Sequence, residues 1–64
     1  MSKSDYRSYF AKCMEFLKIR YFLDLADINS SNFSRFLHGL DWTVSIEKLE
    51  YLKSIIENVI SDTI

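Results

Sequence analysis

Sixty-four residues, 48% hydrophobic and 16% aromatic, with no proline and one glycine, describe one small packed domain rather than a disordered tail. No apolar run approaches the roughly 18 residues of a membrane span, no signal-peptide pattern opens the chain, and a single cysteine allows no internal disulfide, so a reducing cytoplasm is expected. The net charge of -1 is unevenly spread: residues 1–20 carry five Lys/Arg against two Asp/Glu, residues 21–40 sum to -1 and residues 41–64 to -3, which leaves one basic end able to meet phosphate.

The spacing predicts a first helix from about Asp5 to Leu17, with Ser4 as its N-cap. Tyr6, Tyr9, Phe10, Cys13, Met14, Phe16 and Leu17 recur at three- and four-residue intervals and form an apolar face, read as core. Arg7, Ser8, Glu15 and Lys18 fall on the opposite, solvent-facing side. A second helix is predicted from Ile19 to Ala26; with only Arg20 and Asp24 charged, it should be central and mostly buried. Neither glycine nor proline separates the two, so a single bent helix is the alternative.

A third helix follows from about Ser30 to Leu37 or His38. Asn29 is its expected N-cap, and Gly39 supplies the left-handed residue that ends it. Leu40–Val44 reads as a loop. Ser45 then caps a last helix, Ile46 to about Ile60, with Glu47 favourably placed in its first turn. Ile46, Leu49, Leu52, Ile56 and Ile60 make one apolar stripe, and Tyr51, Ile55 and Val59 make a second beside it. Together they cover about twice the roughly 100° face that a surface helix buries. The second stripe, with the Ile64 end nearby, is therefore a candidate homodimer interface, past which Lys48 would have to snorkel; the alternative is that it packs under the first helix.

The two helices that meet at Asp27-Ile28-Asn29 leave no room for a long loop, which is the helix-turn-helix signature. The motif spans about residues 19–38. From Phe16 to Ile56 the chain resembles the Cro/C1-type helix-turn-helix family of small bacterial and phage repressors. The resemblance rests on Leu23 and Ala26 in the first motif helix, Ile28 as the turn's apolar anchor, Phe33 and Phe36 facing inward, Ser34-Arg35-Phe36-Leu37-His38-Gly39, and Ser45 leading into Ile46-Glu47-Lys48-Leu49. It implies a compact all-α domain of four or five helices, lambda-repressor-like, that places helix 30–38 in the major groove of double-stranded DNA. Asp27 stands where the family has glycine, and aspartate tolerates the left-handed turn. Leu23 stands where alanine is common, and loop 40–44 lacks the usual Lys/Arg.

The residues alone support the same surface. Asn29, Ser30, Ser31, Asn32, Ser34, Arg35 and His38 lie at the front of the third helix or face away from its apolar side. Serine can bond base edges or phosphate, asparagine can pair bidentately with adenine and arginine with guanine. Lys18 and Arg20 are candidate phosphate contacts. Against a metal site, His38 and Cys13 share no ligand spacing, and Cys13 reads as an inert core thiol. No nucleophile–base set, phosphate loop or paired-carboxylate pattern suggests an enzyme, a cofactor or a small-molecule substrate; Glu47, Glu50 and Glu57 share one solvated helix face. Trp42 reads as a plug over the core between the last two helices. Two function classes follow. One is a sequence-specific transcriptional regulator of phage or mobile-element type. The other is a protein-binding module on the same scaffold, such as an antirepressor, which the acidic C-terminal third favours.

Overall fold

Ser2 and Asp5 start the first helix, α1 (Lys3–Cys13), with a capping box. Ser2 Oγ accepts from the Asp5 N–H (3.2 Å) and the Asp5 carboxylate accepts from the Ser2 N–H (3.0 Å), which holds that carboxyl below its usual range. The expected cap, Ser4, lies inside the first turn instead. The computed structural model describes residues 1–63, and α1 ends at Cys13, four residues before the expected Leu17. The amides of Glu15 and Phe16 bond three residues back, to Lys12 and Cys13, and tighten the chain into a turn. Leu17 swings back against the core, whereas Met14 and Phe16, expected on the buried face, are exposed. The two helices are therefore separate rather than one bent rod.

The second helix, α2 (Ile19–Ala26), has its expected bounds, but only Phe22, Leu23 and Ala26 are buried. Tyr21 and Leu25 face outward with Arg20 and Asp24, so α2 lies at the surface with one covered face rather than at the centre. It closes on Asp27 at φ 57°, the left-handed conformation expected there. The Ile28 amide reaches the Leu23 carbonyl (2.9 Å) and the Asp27 amide the Asp24 carbonyl (3.3 Å), with Ile28 and Leu23 both buried: a Schellman turn built on aspartate.

The third helix, α3 (Ser30–Leu37), ends in the same way. Gly39 has φ 104°, the Leu40 amide bonds the Arg35 carbonyl and the Gly39 amide the Phe36 carbonyl, both at 3.0 Å. No atom lies within 4 Å of where a Gly39 Cβ would stand. Gly39→Ala is therefore expected to cost about 1–2 kcal/mol through backbone strain alone. Asp27→Val, branched at a left-handed position, should cost at least as much, about 2 kcal/mol, while Asp27→Gly stays within about 1 kcal/mol of the parent. Urea denaturation reads all three; a neutral Asp27→Val would contradict the turn.

After a short 3-10 turn at Asp41–Thr43, the last helix, α4 (Ile46–Thr63), runs against α2. Ser45 Oγ accepts from the Lys48 amide (3.3 Å), the cap the sequence announces. Leu49, Leu52 and Ile56 are fully buried, with Ile46, Ile55 and Ile60 packed at the core's edge. Phe10 lies between α1 and α3, edge-on to Phe33 at 5.5 Å between ring centroids. The Cα radius of gyration, 10.9 Å, matches the roughly 11 Å of a compact chain this long. No strand occurs among the described residues, so the all-α expectation holds with four helices and one 3-10 turn. Nor is any of their helices long and apolar enough to cross a membrane.

Two lysines of α4 are placed unexpectedly. Lys48 does not skirt the second stripe. Its Nζ donates to the Asp27 carbonyl (3.1 Å) and approaches that of Ala26 (3.4 Å), so a cation closes the negative end of α2. Lys53 Nζ sits 5.3 Å from the Tyr9 ring centre and pairs with Glu57 at 2.7 Å. Burial pushes the Tyr9 hydroxyl up to about 12 and raises the Cys13 thiol as well, which keeps both neutral.

Candidate nucleic-acid interface

Phe33 and Phe36, at most 2% exposed, fix which side of α3 faces inward. The other side is then dictated by helical geometry: Ser30, Ser31, Ser34, Arg35 and His38 are all exposed, and together they form one polar strip. Asn29 starts the helix as expected, its Oδ1 accepting from the Asn32 amide at 3.1 Å. Arg35 Nη1 donates to Asn32 Oδ1 (3.2 Å), which steadies a side chain that would otherwise sweep freely. His38 Nδ1 donates to the Ser34 carbonyl (2.7 Å), leaving Nε2 as the ring's outward nitrogen.

The two asparagines are less available than their composition suggests. Asn29 uses its oxygen as the cap and Asn32, half-buried, uses its own on Arg35. A bidentate pairing with adenine needs that oxygen together with the amide nitrogen, so it must use the oxygen's second lone pair beside the bond already there. Lys18 and Arg20 are exposed but stand at the far end of α2 from the turn, about 12 Å and 9 Å along its axis from Ala26. The fold thus gathers Ser30, Ser31, Ser34, Arg35 and His38 into one surface.

A depression of about 220 Å³ opens beside the turn, lined by Asp27, Ile28, Asn29, Asn32, Thr43, Val44, Ser45 and Lys48. It is smaller than the roughly 300–1,000 Å³ of ordinary small-molecule pockets. Among the described residues no three His, Cys, Asp or Glu side chains gather as a metal site would require.

Other residues beside the strip escape sequence reasoning. Arg7 does not face solvent as its wheel position suggests. Its Nε donates to the Phe36 carbonyl (2.9 Å), its guanidinium lies 5.0 Å from the Phe36 ring centre, and it pairs with the Asp41 carboxylate. Lys3 Nζ donates to the Asp41 carbonyl at 2.6 Å. Trp42 is no plug: at 77% exposed it stands out in solvent. Thr43 Oγ1 takes the place beside α3, donating to the Asn32 carbonyl (2.9 Å), while Val44 fills the core. A periodicity argument sees one helix at a time, and these contacts all join separate elements.

The proposed dimer stripe divides. Ile55 packs at the edge of the core, whereas Tyr51 and Val59 are 54% and 38% exposed. The Ile64 end lies outside the described residues. No family model, curated protein or solved structure matches this chain.

Proposed function

We propose that the chain is a small sequence-specific DNA-binding regulator, with α2 and α3 as a helix-turn-helix and α3 as the helix that enters the major groove. The observation that carries this is the α3 strip. A short helix, joined to its predecessor by the three-residue turn 27–29, is anchored inward by two phenylalanines and presents serines, one steadied arginine and one histidine outward. Short side chains let the backbone come close to a duplex, and Arg35 supplies the guanine-reading group. The resemblance to Cro-like repressors and the left-handed Asp27 turn support the same reading. It places the protein in a cytoplasm, without catalytic activity, as a repressor-type regulator of phage or mobile-element character.

A single α3 reads only a few base pairs, so the regulator would act as a homodimer with two helices about one DNA turn apart. Tyr51 is the more exposed of the two outward residues of the proposed interface. Tyr51→Glu should keep the protein monomeric without unfolding it, whereas Ile55→Glu should disturb the core.

The decisive experiment is selection from random duplexes followed by anisotropy titration of the selected site. Arg35→Ala is expected to weaken that site about 10- to 100-fold, the equivalent of roughly 1–3 kcal/mol, with an unchanged helical spectrum. Lys18→Ala and Arg20→Ala should instead lower affinity for all sequences alike and flatten the salt dependence. Failure to enrich any sequence would remove the assignment.

The second reading, a protein-binding module, is favoured by a separate observation. Tyr21 and Leu25, four residues apart on α2, are each about half exposed or more, an apolar pair that DNA does not need. Capture of a protein partner that survives Arg35→Ala but not Leu25→Glu would favour it.

A further inference from the structure

We propose that the depression beside the 27–29 turn binds a small α-amino acid, with its ammonium at Asp27 and its carboxylate at Lys48. These two side chains line one cavity with opposite charges, yet no ion pair among the described residues joins them. Lys48 Nζ is instead held by the Asp27 and Ala26 carbonyls, which leaves one of its three donors. Ser45 Oγ accepts from the Lys48 amide and keeps its own proton to give. Asn29 Oδ1 has a second lone pair beside its capping bond. A ligand carboxylate therefore finds an ammonium and a hydroxyl, and a ligand ammonium finds a carboxylate and an amide oxygen. Ile28 and Val44, both buried, supply the apolar lining for a short side chain.

Charge and size select the occupant. The lining carries one carboxylate and one ammonium, so a lone anion meets Asp27 and a lone cation meets Lys48. A zwitterion meets both with attraction. The volume of about 220 Å³ is room for about seven waters at ~30 Å³ each. That is too little for a nucleotide or a peptide and enough for an amino acid of about five to eight non-hydrogen atoms. The walls are tied to one another: Thr43 Oγ1 to the Asn32 carbonyl at 2.9 Å, Lys48 to the Asp27 carbonyl at 3.1 Å, and Asn29 to the Asn32 amide at 3.1 Å. One consequence rests on the duplex-binding role of α3. Asn32 lines the cavity and also holds Arg35 through its Oδ1, so a bound amino acid touches the residue that steadies the base-reading arginine.

The test is a titration of the full chain with glycine, L-alanine, L-serine and L-threonine, followed on backbone amides by NMR. Acetate and methylamine, which carry one of the two charges each, serve as comparisons. At least one amino acid is expected to shift the amides of residues 27–29, 32 and 43–48 and to saturate at about 1 mM or below, with acetate and methylamine about tenfold weaker or worse. Asp27→Asn, which the left-handed turn tolerates, should weaken that amino acid about tenfold while the thermal midpoint holds. Failure of all four to saturate by about 10 mM overturns the proposal. So does acetate binding as tightly as the best amino acid, which makes the cavity a plain anion site, or a folded Asp27→Asn variant that binds like the parent. Saturating amino acid should also change the anisotropy-measured affinity for the selected duplex at least about threefold. An unchanged affinity overturns the coupling through Asn32 and leaves the site. If no duplex is ever selected, the regulator assignment falls, and the amide titration still decides the cavity.

Discussion

Phe10→Ala is expected to remove a large share of the protein's stability at 25 °C. Phe10 is completely buried and is the ring around which α1 and α3 pack, 6.1 Å from Tyr6, 5.2 Å from Tyr9 and 5.5 Å from Phe33 between centroids. Truncating such a side chain removes its transfer free energy and leaves a cavity, about 3–5 kcal/mol together. A chain of this size has a total stability of only about 3–10 kcal/mol. Far-ultraviolet dichroism and urea titration measure the outcome. A cooperative transition at the parent midpoint would mean that α1 does not form part of the core.

Arg7→Met should produce the second large effect, about 2 kcal/mol. The substitution keeps the apolar stem and removes the charge-assisted hydrogen bond to the Phe36 carbonyl, a bond type worth roughly 1.5–3 kcal/mol. That carbonyl also receives the Gly39 amide, so Arg7 reinforces the turn that ends α3. The pair with Asp41 is a smaller contribution, because the Asp41 side chain is 55% exposed and water screens it. Asp41→Asn is therefore expected to cost less than about 1 kcal/mol. A double-mutant cycle separates the two, and an Asp41→Asn loss equal to that of Arg7→Met would assign the effect to the ion pair instead.

The centre of the chain was legible because its punctuation is local. The residues that bound α2 and α3, the caps Asn29 and Ser45, and the left-handed Asp27 and Gly39 act within four positions of themselves, where sequence spacing and spatial distance coincide. The start of α1 was also written there, as Ser2 and Asp5, but Ser4 stands nearer the apolar stripe and drew the boundary inward. Its end was hidden: Met14, Phe16 and Leu17 continue the hydrophobic spacing after the helix has turned, without glycine or proline to mark the break. Trp42 misled because large aromatics are usually covered, and nothing in its neighbours announces that Thr43 and Val44 have taken the inward positions. Arg7, Lys3 and Lys48 each find partners more than 20 positions away. A helical wheel gives such side chains a direction and says nothing of what waits there.

α3 has eight residues, about two turns, fewer than a helix needs to persist alone in water. It stands because it is closed from outside: Asn29 at one end, the Gly39 turn and Arg7 at the other, Thr43 alongside and two phenylalanines beneath. Its conformational freedom is already spent before any ligand arrives. A disordered segment of the same sequence would surrender roughly 1–2 kcal/mol per residue on ordering its backbone against a partner. Here that loss belongs to folding, and association has only side-chain rotamers left to freeze. If α3 is the recognition helix proposed above, discrimination between targets rests on whether Arg35 and three serines find their partners without the helix having to move.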